Sequence, residues 1–162
     1  MNATPVYVVL GATGGIGAAI SKKLSQRGAS LVLGARSIDN LDELATETGG
    51  QSFVMDATNY DEVESVVRHA VTSFGRLVGI VNSVGSILLK PAHLTSIEDY
   101  RHTISLNLDT AFYTVKAASR AMFKTGGSIV LCSSAVARTG IANHEAIAAA
   151  KGGIVGLVQS AA

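Results

Sequence analysis

The sequence predicts an α/β fold, a doubly wound parallel sheet in three layers (α/β/α), and two features of the 162-residue chain carry the prediction. The first is alternation. Short β-branched apolar runs are separated by longer segments of helical periodicity, the order that sets parallel strands side by side with helices crossing over their faces. The second is the character of the runs, which are apolar without strict in-and-out alternation, as strands covered on both faces are. With 48% hydrophobic against 15% charged residues the chain can fill such an interior, and its length makes it one domain, residues 1–162.

Taken in order, VYVVL (6–10) is the first strand and GIGAAISKKLSQRG a helix closing on Gly28. SLVLG (30–34) is the second strand, and SIDNLDELATETGG a helix closing on a glycine pair. QSFVM (51–55) is the third strand, and TNYDEVESVVRHAVTSFG a helix closing on Gly75. Glycine at the C-cap supplies the left-handed residue on which helices commonly end. LVGIVN (77–82) is the fourth strand, and residues 97–124 hold a short helix and then a long one. SIVLCS (128–133) is the fifth strand, and a last helix opens near Glu145 and runs to the C-terminus. No repeat, linker or low-complexity tract interrupts this order.

Charge and cysteine content narrow the function. Thirteen basic and 12 acidic residues give a formal charge of +1, spread along the chain, so there is no electrostatic case for nucleic acid or an anionic membrane, and small-molecule partners are favoured. Cys132 is the only cysteine, which excludes an internal disulfide and a C-x-x-C site; within an apolar strand it reads as a small core residue. His69, His93 and His102 show no metal-ligand spacing, so no metal is expected. The N-terminus lacks a basic n-region and no apolar run approaches the roughly 20 residues of a membrane span, which reads as a cytoplasmic protein.

The stretch VVLGATGGIGAAI sets Gly11, Gly14, Gly15 and Gly17 between the first strand and the first helix. A glycine at the strand end permits a tight turn, one in the middle lets backbone approach a pyrophosphate, and one in the helix allows close packing on the sheet. That context favours a dinucleotide site over a turn that merely packs. After the second strand comes LGARS. Where an acidic ribose ligand is usual in NAD sites, this chain has Ala35, then Arg36 and Ser37. A guanidinium matches an added phosphate, which points to NADP; the alternative is a solvated loop arginine.

The glycine spacing and four further motifs, in order, resemble the short-chain dehydrogenase/reductase family, including its 3-oxoacyl-carrier reductases, over essentially the whole chain. They are VMDAT, VNSVG, SLNLDTAF, and GSIVLCSSAVARTG followed by AAAKGGIVGL. The resemblance implies a Rossmann-type NADP-binding domain. Its glycine turn would hold the cofactor with Gly11, Thr13, Gly14, Gly15, Ile16 and Gly17. Arg36, Ser37, Asp56 and Ala57 would lie at the adenosine end, with Asp56 on the adenine; Asn82, Ser83, Val84, Gly85 and Lys151 would line the rest. It also implies hydride transfer between NADPH and a ketone or alcohol, with Asn107, Ser134 and Lys151 as catalytic residues, and a homo-oligomer formed through TAFYTVKAASRAMF and the terminal helix.

Two departures from the family matter. Thirteen positions after Ser134 and four before Lys151, where the family carries a tyrosine that protonates the carbonyl oxygen, the chain has Ile147. An aliphatic side chain cannot donate that proton. His144 and Glu145 stand near the start of the same helix and could transfer protons, but His144 reads better as a solvated loop residue, and Tyr113 as packed or interfacial. The family also continues past this helix through two more strands and a covering loop, so on the resemblance the chain reads as truncated at its C-terminal end. The expectation is therefore a reductase that is weak or inactive as it stands; the alternative is a non-catalytic dinucleotide-binding protein or a fragment of a reductase.

Overall fold

A computed structural model describes residues 4–162. Five parallel strands, β1 (Val6–Leu10), β2 (Ser30–Ala35), β3 (Gln51–Val54), β4 (Gly79–Asn82) and β5 (Ser128–Leu131), form one sheet in the order β3-β2-β1-β4-β5. The connecting helices are α1 (Gly15–Ser25), α2 (Ile38–Thr48), α3 (Tyr60–Phe74), α4 (Ile97–Ile104), α5 (Thr110–Met122) and α6 (Glu145–Ala161). The three-layer doubly wound prediction describes this architecture.

Strand periodicity builds both faces of the core. On β1, Val6, Val8 and Leu10 point into a cluster with Val63, Val66, Val67 and Ala70 of α3 and Ala117, Ala118 and Met122 of α5. Val9 points the other way, with Leu31, Leu33, Leu41 and Leu44, under α1 and α2. The expectation that strands are buried on both faces holds for β1, β2 and β4 but not for the outer two. Val54 is 52% and Val130 49% exposed, because β3 and β5 are sheet edges with helix cover on part of their surface only.

Element ends differ from the sequence reading for local reasons. Helix α1 stops at Ser25, short of Gly28; the chain turns through Gln26 and Arg27, and Gly28 takes φ 76° to let Ala29 return to the Leu24 carbonyl. Helices α2 and α3 end as expected on left-handed Gly49 and Gly75. Strand β5 ends at Leu131, opposite the end of β4 at Asn82, and the next carbonyl, of Cys132, is taken by a side chain of α6. Residues 97–122 run as one rod in which α4 passes into α5 through a π-type turn, Ser105–Asp109, where the Thr110 N–H reaches back to the Ser105 carbonyl. Helix α6 lies across α4, this turn and the end of α5, with Ala146, Ile147, Ala150, Lys151 and Ile154 buried.

Candidate functional site

The chain leaves β1 toward β2 on one side and returns to β4 on the other, so the crevice beyond Leu10 and Asn82 is the point where winding reverses. Ligands of open α/β sheets bind at such a point. The glycine turn fills its floor. Gly11 adopts φ 71°, and its N–H and that of Ala12 both donate to the Gly34 carbonyl, at 2.9 and 3.1 Å. A Cβ on Gly17 would lie 2.2 Å from the Gly11 carbonyl oxygen, so only glycine allows α1 to sit this close to the turn. Gly14 caps α1 without a side-chain hydrogen bond, and no acid stands in the first turn. The first N–H groups of the helix are thus left for an external anion, which is what a pyrophosphate requires.

The cleft above this turn has a volume of about 210 Å³. Of the residues expected at a cofactor, Gly11, Thr13, Gly14, Arg36, Asp56, Ala57, Ser83, Val84 and Gly85 line it. The others stand elsewhere: Gly15 and Gly17 within α1, Ile16 turned to solvent at 59% exposure, and Ser37 at the N-cap of α2. Asn82 is buried beneath the loop it supports, its Nδ2 donating to Thr114 Oγ1 and its Oδ1 accepting from the Val84 N–H. Ser83 braces the turn by donating its hydroxyl to the Leu10 carbonyl at 2.8 Å. Gly34, Met55 and Leu106 also line the cleft and were not foreseen, though each stands inside a motif already noted, Gly34 in LGARS, Met55 in VMDAT and Leu106 in SLNLDTAF, which here forms the π-type turn.

At the Arg36 end of the cleft, the N–H and hydroxyl of Thr58 both bond Asp56 Oδ1, at 2.9 and 2.8 Å. These bonds, with a smaller contribution from the Arg36 charge, hold the Asp56 carboxyl below its ordinary value of 3.8 against the opposing effect of burial. The aspartate is therefore an anion facing the same cleft as Arg36.

At the other end, Asn107 and Lys151 converge on one backbone position. A Cβ on Gly85 would lie 2.8 Å from Asn107 Oδ1 and 3.2 Å from Lys151 Nζ. Asn107 is fixed on both sides, its Oδ1 accepting from the Ser86 N–H and its Nδ2 donating to the Thr103 carbonyl. Lys151 is 8% exposed and donates to the Cys132 carbonyl at 2.9 Å; burial lowers its pKa from the ordinary 10.5. Ser134 stands two residues past that carbonyl, exposed, its hydroxyl accepting from the Val136 N–H. Its neighbour Ser133, not singled out in the sequence, donates its hydroxyl to the Lys151 carbonyl at 2.8 Å and so ties the end of β5 to α6. Ile147 lies one helical turn before Lys151, on the same side of α6, and is 2% exposed.

The remaining candidates fall outside this constellation. His144 precedes α6 with its Nδ1 2.7 Å from the Ala142 carbonyl. Tyr113 packs edge-on against Tyr60. Cys132 is half-buried and takes part through its backbone carbonyl. Among the described residues no three histidine, cysteine, aspartate or glutamate side chains gather as metal ligands, and no helix is long and apolar enough to cross a membrane.

A family model described as enoyl-(acyl carrier protein) reductase matches residues 11–162. D-threitol dehydrogenase of Mycolicibacterium smegmatis is 32% identical over 158 residues, which is 94% of this chain and 61% of that protein. The crystal structure of an NAD⁺-bound xylitol dehydrogenase superposes with a TM-score of 0.93 at 27% identity, over 100% of this chain and 65% of that one. The NADPH complex of an actinorhodin polyketide ketoreductase variant does so at 0.92 and 25%, over 97% and 63%. The chain thus spans about three fifths of the length of the curated relatives it matches.

Proposed function

The chain belongs to the short-chain dehydrogenase/reductase family, and from that premise we propose that it binds NADP(H) and serves hydride transfer between this cofactor and a small carbonyl or alcohol compound, with little turnover as it stands. The observation that carries the reading is the convergence of Asn107 and Lys151 on Gly85 at the far end of a cleft whose near end holds an uncapped helix N-terminus, Arg36 and Asp56. When bound, the nicotinamide supplies the hydride; everything else rests on the chain. Helix α1 offers N–H groups to the pyrophosphate, and the Arg36 guanidinium offers paired donors to a ribose phosphate, which is the basis for preferring NADP over NAD. Lys151 holds a ribose hydroxyl, Ser134 orients a carbonyl oxygen, and Asn107 fixes the loop at Ser86.

Ile147 stands where a proton donor is needed. No proton leaves an alkyl group, so carbonyl reduction lacks its general acid and is expected to be slower by about 10²–10⁴-fold. The relatives bound to NAD⁺ and to NADPH show that this architecture serves both dinucleotides, so the choice rests on Arg36. Titration with NADPH and NADH tests it. The unmodified chain should prefer NADPH, and Arg36→Ala should lose about 1.5–3 kcal/mol toward NADPH alone, the value of a hydrogen bond to a charged group. Equal curves for both dinucleotides in the unmodified chain would remove the basis for the preference, and measurement of NADPH oxidation over a panel of ketones separates a weak reductase from a chain that only binds. A homo-oligomer through α5 and α6 belongs to the same reading: Phe112, Phe123 and Val158 are 51%, 86% and 46% exposed there, and sedimentation should give more than the monomer mass.

A further inference from the structure

Asp56 ends the sheet at a place where its backbone has lost its ladder. The last bond of β3 to β2 is from the Met55 N–H to the Ala35 carbonyl, at 2.9 Å. The next N–H, of Asp56, is taken by a side chain: Glu62 Oε2, at 2.7 Å, reaching back from the first turn of α3. The other oxygen, Oε1, accepts from Asn59 Nδ2 at 2.9 Å, and Asn59 in turn caps α3 through its Oδ1 and the Asp61 N–H. One carboxylate therefore locks the strand end to the helix cap. The Asp56 carbonyl is held by the Asn59 N–H, and its Oδ1 by Thr58. Among the described residues, Asp56 Oδ2 and the Ala57 N–H are left without a partner, and both residues line the cleft.

A free acceptor beside a free donor is the complement of the 6-aminopurine edge, where an exocyclic N–H donates and the adjacent ring nitrogen accepts. A 6-oxopurine presents the reverse pattern. We infer that Glu62 is a positioning residue for the base end of the cofactor site, acting through the Asp56 backbone to hold this acceptor and donor in the register that selects adenine. The inference rests on the dinucleotide reading above and goes beyond it by assigning base selection to a side chain that does not touch the cleft.

The test is a ratio. Dissociation constants are measured by the fluorescence of bound NADPH and of its deamino analogue, in which hypoxanthine replaces adenine, for the unmodified chain, Glu62→Ala and Glu62→Gln. The unmodified chain should favour the adenine form by at least about tenfold, since the wrong edge leaves both groups unpaired. In Glu62→Ala the preference should fall to about threefold or less. Glu62→Gln keeps the shape but has one acceptor for two donors, so it should fall between and keeps the test open if the alanine variant folds poorly. A merely structural role would weaken both dinucleotides in proportion and leave the ratio alone. An unchanged ratio in a folded variant, or no adenine preference in the unmodified chain, overturns the inference while leaving the dinucleotide site standing. Failure of the unmodified chain to bind either dinucleotide overturns both.

Discussion

On the proposed function, replacing Ile147 by tyrosine should raise carbonyl reduction by the chain to a measurable rate. The substitution restores a hydroxyl one helical turn from Lys151, whose ammonium favours the ionised phenol and so lowers its pKa. A general acid in place is worth about 10²–10⁴-fold, or roughly 2.7–5.4 kcal/mol of barrier at 1.36 kcal/mol per factor of ten. The structure argues for the lower end. Ile147 is 2% exposed on the buried side of α6, and a larger ring there forces its neighbours to move, at about 1–3 kcal/mol of stability. The supporting groups need no rebuilding: Lys151 is held by the Cys132 carbonyl, Asn107 by Ser86 and Thr103, and α6 by Ser133. NADPH oxidation in the presence of an activated ketone, followed by absorbance, should rise at least about 10²-fold in kcat/KM. A variant that binds NADPH and melts cooperatively yet shows no rise would refute the claim that position 147 is the missing donor. Robust turnover by the unmodified chain would refute it from the other side, and would direct attention to His144 or Glu145.

Two further outcomes follow from the packing. Gly17→Ala should cost roughly 3 kcal/mol or more, because the new methyl meets the Gly11 carbonyl oxygen at 2.2 Å and the Ala12 Cα at 2.9 Å; Gly15→Ala, with nothing within 4 Å, should stay within about 1 kcal/mol of the parent in urea denaturation. Lys151→Met should change how stability varies with pH. The folded pKa lies below the unfolded 10.5, so the unfolded chain binds the extra proton between the two values and the parent gains stability as pH rises through that window. The parent should therefore gain stability relative to the variant from neutral toward alkaline pH, and a gap independent of pH would show that the buried ammonium carries no penalty.

Much of the fold was written locally. The order of strands and helices, the glycine ends of α2 and α3 and the opening of α6 at Glu145 each depend on a few adjacent residues, and they stand where the sequence put them. The glycine turn was legible for a similar reason: Gly11 is required by its left-handed φ of 71° and Gly17 by the Gly11 carbonyl six residues away, while the further contacts of both with the loop at Ser83 were not visible locally. Strand limits were less legible, since β5 stops where β4 stops and where Lys151 captures the Cys132 carbonyl, and neither partner is near in sequence. The π-type turn was not foreseen: the pattern of residues 97–124 read as a short helix and then a long one, and the turn that joins them brings Leu106 into the cleft and holds Asn107 against Ser86. Likewise TNYDEVESVVRHAVTSFG read simply as a helix, and nothing in it marked Glu62 until the end of β3 placed the Asp56 N–H against it. The residues proposed for the chemistry, and the isoleucine at position 147, were fixed by the sequence; which atoms of those residues remain free for a ligand was decided by tertiary structure, because a donor or acceptor is spent by whichever partner folding brings within hydrogen-bond reach.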